Sequence, residues 1–193
     1  MPDFITPLRQ SELMDEVQTN SQWEVMGKRN VSHYQFKFDY STKSVHRNEL
    51  DNQLPLWAIA LLDQYSNFRP NQPRANQLTI NRYGIGGGIA PHVDTHSSFL
   101  SQMLVFSLGS DVVMEFRAKK NGSYVTHNVL LPHGSLMILE DAARYGWEHC
   151  IRARNVDVID GLVKRRDVRI SLTFRSVRTD INSCDCDFKD LCK

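Results

Sequence analysis

The chain has 193 residues, 41% of them hydrophobic and 23% charged, and a formal net charge of +1. These values are ordinary for a globular domain that can bury a core, and they exclude a uniformly basic polymer binder. No run approaches the ~20 apolar residues of a membrane span, and the N-terminus lacks a basic-then-apolar signal pattern. Three of the four cysteines are crowded into the last ten residues rather than spread as a disulfide framework. We therefore expect an intracellular protein with no membrane partner, cytoplasmic with the nucleus as a second compartment.

Two helices are predicted in the N-terminal third of the chain. Thr6-Pro7 combines a capping residue with a proline suited to the first helical position. Residues 54–65 have too many apolar positions for an exposed helix, so this helix is expected to be buried. A polar loop from Ser66 to Gln77 follows it. On the first helix, we expect four apolar side chains to face inward: Leu8, Leu13, Met14 and Val17.

The segment from Val31 to Tyr40 alternates in polarity, which predicts a strand or a hairpin arm. It carries four aromatic residues, Tyr34, Phe36, Phe38 and Tyr40. Two interpretations of these side chains stay open. They belong to the core, or they form a lid on which a nucleic-acid base stacks.

Short strands dominate the chain from Leu78 onward. Residues 103–116 predict two strands bent near Gly109, and Asn121-Gly122 is a typical hairpin turn. Many short strands after a helical part indicate a mainly β protein with flanking helices and a double-stranded β-helix, or jelly-roll, core. We predict one structural domain in three parts: N-terminal helices and lid (1–77), β-helix core (78–179) and cysteine-rich tail (180–193).

A histidine and a carboxylate follow the first core strand, where His92 and Asp94 lie after a glycine-rich bend. Two imidazoles and one carboxylate form the facial triad that holds non-haem iron(II) and leaves positions open for oxygen chemistry. The third ligand must come from a distant part of the chain, and His149 in a later apolar stretch is the candidate. A histidine two residues from an aspartate is common by chance, and His149 alone is equally consistent with a core histidine.

Two arginines share one face of the predicted strand 168–177. Because side chains alternate along a strand, Arg169, Ser171, Thr173 and Arg175 lie on the same face. Arginines on a half-buried face are costly unless they meet anions, and a guanidinium pairs well with a carboxylate. The alternative is an outward polar face that pairs with surface Asp and Glu.

Taken together, these elements resemble the AlkB family of iron(II)/2-oxoglutarate-dependent dioxygenases. The resemblance covers residues 78–178, and the family's lid would fall in the N-terminal third. The matching motifs are Asn81-Arg-Tyr83, His92-Val-Asp94, His149 and Arg169-x-Ser-x-Thr-Phe-Arg175.

The resemblance implies a role for each matching residue. The iron(II) ligands would be His92, Asp94 and His149. The distal carboxylate of 2-oxoglutarate would be bound by Asn81, Tyr83 and Arg169, and Arg175 would lie near the cosubstrate's other end. Several family members have asparagine where this chain has Ser171, so the hydrogen bonds expected there differ.

A second metal site is implied by the tail. Cys184, Cys186 and Cys192 offer three thiols, one ligand short of a tetrahedral zinc site. Repair-type family members commonly carry an acidic residue where this chain has His96. His96 with the three cysteines resembles the structural zinc site of the animal branch that hydroxylates modified wobble uridine in tRNA. By chain reach the two metals would lie at most roughly 20 Å apart, so the zinc clip would fasten the tail beside the active site. The alternative is a tail with free, reactive thiols.

The resemblance to that branch implies a substrate and partners. The reaction would be hydroxylation of the 5-methoxycarbonylmethyl side chain of wobble uridine in tRNA, with 2-oxoglutarate converted to succinate and carbon dioxide. The segment from Asp141 to Arg178 contains nine Lys or Arg residues and five Asp or Glu residues. This excess of positive charge is consistent with either a solvated surface or a rim that faces phosphates. Our candidates for phosphate contacts are Lys28, Arg29, Lys164, Arg165 and Arg166. Animal proteins of the branch also carry an RNA-recognition module and a methyltransferase, so we expect a separate methyltransferase or RNA-binding partner.

Two other functions stay open. The same chemistry on N-methylated bases of DNA or RNA would end in demethylation and release formaldehyde, although His96 argues against it. A non-catalytic RNA-binding module on the same fold is the second alternative. Intact candidates at all three iron positions and at both arginines argue against that module.

Overall fold

The computed structural model describes residues 1–42, 44–47, 53–178, 184 and 186–192. The helices are α1 (Pro7–Asn20), α2 (Leu56–Phe68) and α3 (Asp141–Tyr145), with a final 3-10 turn at Lys189–Leu191. The strands are β1 (Glu24–Met26), β2 (Arg29–Tyr34), β3 (Phe36–Asp39), β4 (Ser44–Arg47), β5 (Gln77–Tyr83), β6 (Ile89–His92), β7 (Phe99–Gly109), β8 (Val112–Lys120), β9 (Ser123–Leu131), β10 (Ser135–Leu139), β11 (Glu148–Ile151), β12 (Val156–Ile159), β13 (Leu162–Arg165) and β14 (Arg169–Val177). In this described part, no helix has the length and apolar composition needed to cross a membrane.

Two antiparallel sheets form the body of the protein. The large sheet has the order β1-β2-β5-β14-β7-β10, and the small sheet has the order β6-β11-β8-β9. Two further hairpins, β3-β4 and β12-β13, stand apart from these sheets. Neighbouring strands of each sheet are mostly distant in sequence, as in a jelly roll. The prediction of a mainly β protein with few helices is confirmed.

Side-chain alternation gives the large sheet two different faces. On one face, Leu78, Phe106 and Leu172 pack against the apolar sides of α1 and α2 in the larger core cluster. On the other face, Tyr83 and Met103 join a second cluster, which includes side chains of the small sheet. Gln77, Thr79 and Asn81 of β5 and Arg169, Ser171, Thr173 and Arg175 of β14 lie on this inner face. The two sheets therefore enclose the residues that the sequence singles out for chemistry.

The predicted hairpin turn at Asn121-Gly122 is confirmed. Both residues have positive φ, 49° and 83°, and Lys120 is directly opposite Ser123 in the β8-β9 ladder. A two-residue turn of this kind matches the twist of the flanking strands. It lets β9 fold back along β8 and complete the small sheet.

Two helix predictions need correction. Thr6 caps α1 and Pro7 begins it as expected, and Leu13 and Val17 are buried, but Leu8 is 74% exposed. The buried face of α1 follows Gln10, Leu13 and Val17, and Leu8 lies on the opposite side of the helix. The second helix continues to Phe68, so the loop predicted from Ser66 begins three residues later.

The aromatic residues of the segment from Val31 to Tyr40 do not all have the same environment: one belongs to the core and two lie at the surface. Tyr34 belongs to the core and meets Trp57 edge-on, with ring centroids 6.5 Å apart. Phe38 and Tyr40 lie on or just after β3 and line an open cleft. The hairpin β3-β4 thus leaves the core after Tyr34 and presents two aromatic rings at the surface.

Candidate active site

Strand pairing in the small sheet brings two histidines side by side. His149 is directly opposite His92 in the β6-β11 ladder, and the ring centroids are 4.4 Å apart. One ligand atom from each of His92, Asp94 and His149 lies within 4.8 Å of the others. Nδ1 of His92 lies 2.8 Å from the carbonyl oxygen of Ala90, so donation from Nδ1 leaves Nε2 free to bind a metal. This donor set fits iron(II).

The carboxylate of Asp94 is held in its charged form by Arg175. Its Oδ2 accepts from Nε and Nη2 of Arg175 at 3.2 and 3.1 Å. Burial alone would raise the pKa of Asp94, but Arg175 and then the two imidazoles outweigh it and hold that pKa well below its usual range. Burial, followed by His92, lowers the pKa of His149 to about 3. At neutral pH the site therefore offers an anionic carboxylate and a neutral His149 imidazole, the forms that bind metal.

Arg169 is buried without enough partners. It is 3% exposed, and its Nε donates to Oγ of Ser107 at 2.9 Å. Among the described residues, neither Nη1 nor Nη2 has a hydrogen-bond partner. Burial lowers the pKa of this guanidinium to about 10. A buried cation with two orphaned nitrogens needs an anion, and the carboxylate of 2-oxoglutarate fits this need.

Asn81 and Tyr83 line the same inner cavity as Arg169, a space of about 40 Å³ that also reaches His149. Tyr83 is opposite Arg169 in the β5-β14 ladder, with its ring centroid 5.5 Å from the guanidinium carbon. Burial raises the pKa of Tyr83, so its hydroxyl remains a hydrogen-bond donor. Ser171, where some AlkB members have asparagine, lines this cavity as well.

Sequence reasoning missed the residues that hold Arg175. Its Nη1 donates to Oε1 of Gln77 at 3.2 Å and to Oγ1 of Thr79 at 3.1 Å. Thr79 in turn lies 3.1 Å from Nδ1 of the buried His33. The strand pattern contained this information, because Gln77 and Thr79 alternate with apolar residues on the same face as Asn81.

His33 makes the stability of the protein sensitive to acid. Burial, followed by the charge of Arg175, lowers its pKa from 6.5 to about 4. Between these pH values the unfolded chain binds the proton and the folded chain does not, so stability present above pH 6.5 is lost as the pH falls towards 4.

We expect the unfolding free energy of the metal-free protein to decrease less steeply, as the pH is lowered, in His33→Gln than in the wild type. The difference is at most about 1.4 kcal/mol per pH unit. Urea titrations at several pH values measure these slopes, and equal slopes would contradict the assignment.

Arg144 is a second residue that the sequence did not reveal. It is 2% exposed, and it donates to the carbonyl oxygens of Asp94 and Thr95 at 2.7 and 3.1 Å. Its guanidinium lies 4.8 Å from the ring centroid of Tyr145, and that ring meets His96 edge-on at 4.9 Å. Helix α3 therefore fixes the loop that contains both Asp94 and His96. No sequence pattern reports such a role, because its acceptors are backbone carbonyls.

His96 and three cysteines of the tail form a second cluster of metal-binding side chains. One ligand atom from each of His96, Cys184, Cys186 and Cys192 lies within 4.8 Å of the others. His96 is 1% exposed, and its Nδ1 is 3.2 Å from Sγ of Cys186. A buried histidine facing three thiols fits tetrahedral zinc by donor type and number.

An open cleft of about 470 Å³ leads to the iron-site residues. His92, Asp94 and Arg175 line it, together with the aromatic residues Phe38, Tyr40 and Phe99. The rings of Phe38 and Phe99 are 5.9 Å apart. The remaining lining residues include Arg29, Asn81, Thr95, Glu148 and Leu191. This volume lies within the range of sites that hold a small organic ligand.

The structure separates the candidates for RNA contact. Lys28, Lys164 and Arg165 are exposed, and Arg29 lines the cleft. Arg166 must be removed from the set, because its side chain is 6% exposed and turns inward. There it donates to both carboxylate oxygens of Asp157 at 2.6 and 2.8 Å and to the carbonyl oxygen of Arg152 at 2.7 Å.

Comparison with known proteins identifies the enzyme class of this chain. The family model of the 2OG-Fe(II) oxygenase superfamily matches residues 1–175. The chain therefore belongs to this superfamily and is an iron(II)/2-oxoglutarate-dependent dioxygenase.

Two named relatives show which members of the superfamily this chain is similar to. The chain is 32% identical over 213 residues to the Arabidopsis thaliana "Alkylated DNA repair protein ALKBH8 homolog", covering 100% of this chain and 61% of that protein. It is 35% identical over 211 residues to the Xenopus tropicalis "tRNA (carboxymethyluridine(34)-5-O)-methyltransferase alkbh8", covering 98% of this chain and 33% of that protein. The resemblance to AlkB homologues is thus confirmed, and the chain spans only part of the length of these relatives.

Solved structures show the same fold at low sequence identity. The structure of OsALKBH1 superposes with a TM-score of 0.67 at 15% identity, covering 91% of this chain and 95% of that one. A Pseudomonas putida prolyl-4-hydroxylase superposes with a TM-score of 0.56 at 11% identity, covering 91% and 90%. These likenesses concern the fold alone.

Proposed function

We propose that this chain hydroxylates the 5-methoxycarbonylmethyl side chain of wobble uridine in tRNA. The observation that carries the proposal is the His96–Cys184–Cys186–Cys192 cluster beside the facial triad. The similarity of the chain to ALKBH8 homologues supports it, since the frog relative is named for a tRNA carboxymethyluridine at position 34. The methyl ester would be supplied by a methyltransferase, the activity for which that relative is named. The zinc cluster, the lid formed by β3-β4 and the tRNA substrate are parts of the same proposal.

The residues of the chain have separate tasks in this reaction. His92, Asp94 and His149 would hold iron(II), which with 2-oxoglutarate and oxygen supplies the oxidising power. Arg169 would anchor the distal carboxylate of 2-oxoglutarate, with Tyr83 and Asn81 as further donors. Arg175 donates to Asp94 and lines the cleft, so it orients that carboxylate, and it would lie near the cosubstrate's other end.

The cleft would hold the uridine above these residues. Phe38 and Tyr40 line the cleft with perpendicular rings, 5.0 Å apart at 85°, so a base would stack on the face of one of them, worth about 1–3 kcal/mol per base. Tyr40 is 40% exposed, so its ring is available to a substrate. The side chain of the uridine would then reach Asp94 and His92, and the stacked base would exclude water from the reacting carbon.

Phosphate contacts are assigned to three exposed cations, and charge reversal tests them. The variant with Lys28→Glu, Lys164→Glu and Arg165→Glu is expected to bind tRNA at least about tenfold more weakly at low salt. Its slope of log affinity against log salt should be shallower by about 2, because three contacts are lost. Filter binding across a salt series measures both values. The control is Arg9→Glu with Arg74→Glu, exposed arginines that pair with Glu12 and Asp63. Equal affinity and slope for the wild type and the triple variant would overturn this assignment.

Succinate production with a panel of substrates tests the reaction. Iron-loaded protein should form succinate fastest with tRNA that carries the methyl-ester uridine, and at the background rate with unmodified tRNA. Oligonucleotides with N-methylated bases should add no succinate and release no formaldehyde.

Oxidative demethylation is the alternative function, and one observation favours it. The Arabidopsis relative carries the name of an alkylated-DNA repair protein. Formaldehyde released from methylated oligonucleotides at a rate matching succinate would decide for this alternative. The non-catalytic RNA-binding module is disfavoured, because the chain belongs to the oxygenase superfamily and retains candidates for every iron ligand.

A further inference from the structure

The C-terminal tail reaches the wall of the cleft. Leu191 lines the cleft together with Phe38, Phe99 and Thr95. Thr95 immediately precedes His96, and Leu191 immediately precedes Cys192, so both neighbours belong to the candidate zinc cluster. The cleft is thus bounded by β3, from the N-terminal third, and by the tail at the other end of the chain.

Leu191 is held by local structure rather than by the metal cluster alone. It lies in the 3-10 turn Lys189–Leu191, where its N–H donates to the carbonyl oxygen of Phe188 at 3.1 Å. The amine of Lys189 donates to the carbonyl oxygen of Cys184 at 3.2 Å. These contacts tie the turn to the cysteine segment.

Phe188 seats this turn on the body of the protein. A Cβ atom at Gly146 would lie only 2.3–2.8 Å from three ring atoms of Phe188, so the ring lies directly on the backbone that ends α3. The same helix contributes Arg144, which binds the carbonyl oxygens of Asp94 and Thr95. The described residues of the tail, α3 and the loop of iron-site residues therefore pack as one unit.

From this packing we infer that Leu191 contacts the substrate nucleotide and that the cysteine–histidine cluster sets substrate affinity by positioning it. The inference rests on the proposed function and deepens it, because it assigns the tail a role in substrate binding beyond fastening the chain end. Leu191 is a half-buried apolar side chain on the wall of a cleft. Such a position gains apolar contact when a substrate ring or ester group fills the space.

Binding without turnover tests the inference. The full chain, loaded with zinc and iron(II) and supplied with 2-oxoglutarate without oxygen, is titrated into a fluorescent anticodon stem-loop that carries the methyl-ester uridine. Leu191→Ala should weaken binding about three- to tenfold through lost apolar contact, and Leu191→Trp at least about tenfold by filling the cleft. The Kd for 2-oxoglutarate and the zinc content should match those of the wild type.

Two further variants show whether weaker stem-loop binding comes from loss of the Leu191 contact or from a general effect of the substitution. Leu8→Trp is the matched control, because Leu8 is 74% exposed on α1 and does not line the cleft. Its affinity should equal that of the wild type. Cys192→Ser should lose zinc and weaken stem-loop binding, with the Kd for 2-oxoglutarate changed less than twofold. If Leu191→Ala and Leu191→Trp bind the stem-loop as tightly as the wild type at full zinc content, the inference fails while the proposed function stands. If the wild type does not bind the stem-loop, the proposed function fails and takes the inference with it.

Discussion

Replacing Arg169 with methionine is expected to weaken 2-oxoglutarate binding by at least about 100-fold. The guanidinium is buried, and its Nη1 and Nη2 have no partner among the described residues. Removing one partner of a buried ion pair costs about 3–5 kcal/mol, which exceeds 100-fold in affinity. Anaerobic calorimetry with iron-loaded protein measures this loss. Iron(II) binding in the absence of 2-oxoglutarate should be unchanged, because Arg169 is not a ligand.

The same substitution should affect the stability of the ligand-free protein in the opposite direction. Burial lowers the pKa of Arg169 to about 10, which shows that the charged form is poorly compensated before an anion binds. We expect the unfolding free energy of the ligand-free Arg169→Met protein to rise by about 1 kcal/mol. Arg165→Met, on the exposed end of β13, is the control and should change neither quantity. A loss of stability with unchanged 2-oxoglutarate affinity would make Arg169 a structural residue.

Replacing Arg144 with glutamine is expected to weaken iron(II) binding about 10- to 150-fold. The substitution removes two charge-assisted hydrogen bonds and leaves the carbonyl oxygens of Asp94 and Thr95 without these donors. We expect the equivalent of one such bond, about 1.5–3 kcal/mol, to be lost from iron(II) affinity, which gives the stated range. Asp94 then loses its fixed position. Anaerobic titration with iron(II), monitored by tryptophan fluorescence, measures the affinity. Arg144→Lys should recover part of the lost affinity.

A matched arginine controls for this result. Arg152 pairs with Glu115 at 2.8 Å on the surface, and Arg152→Gln should bind iron(II) as the wild type does. Zinc content should also fall in Arg144→Gln, because the same loop carries His96. Wild-type affinity for iron(II) in a folded Arg144→Gln protein would rule out the positioning role.

Strand alternation predicted the inner polar face well. Arg169, Ser171 and Thr173 share one face as expected, and they are 3–5% exposed. Which way that face points could not be read from β14 alone, since an outward polar face has the same alternation. The inward orientation follows from packing on the opposite face, where Ile170, Leu172 and Phe174 contact the core cluster that contains α1 and α2, a property of the tertiary fold.

The basic run Lys164-Arg165-Arg166 shows where sequence reasoning fails. Two of its members are exposed as expected, but the strand β13 ends at Arg165 and the next side chain turns in to Asp157. Burial of one guanidinium is set by a carboxylate nine residues away, not by composition. The charge excess predicted for residues 141–178 is therefore reduced at the surface, because Arg144 and Arg169 from the same stretch are buried as well.

Arg144 and Leu191 were missed for a different reason. Their roles depend on neighbours that strand and helix periodicity do not encode: backbone carbonyl oxygens for Arg144 and a cleft wall for Leu191. The chemistry-bearing side chains, by contrast, are few in type and fixed in spacing. The iron and zinc ligand sets could therefore be proposed from sequence, while the residues that position them could not.

The mass of the wobble nucleoside after one incubation tests the central claim most directly. Iron-loaded protein is incubated with 2-oxoglutarate, oxygen and tRNA bearing the methyl-ester uridine, and the digested nucleosides are analysed by mass spectrometry. We expect this uridine to gain the mass of one oxygen atom, in an amount matching the succinate formed, and an Asp94→Ala variant to produce neither. Succinate formed with no change in that nucleoside, together with formaldehyde released from N-methylated bases, would contradict it.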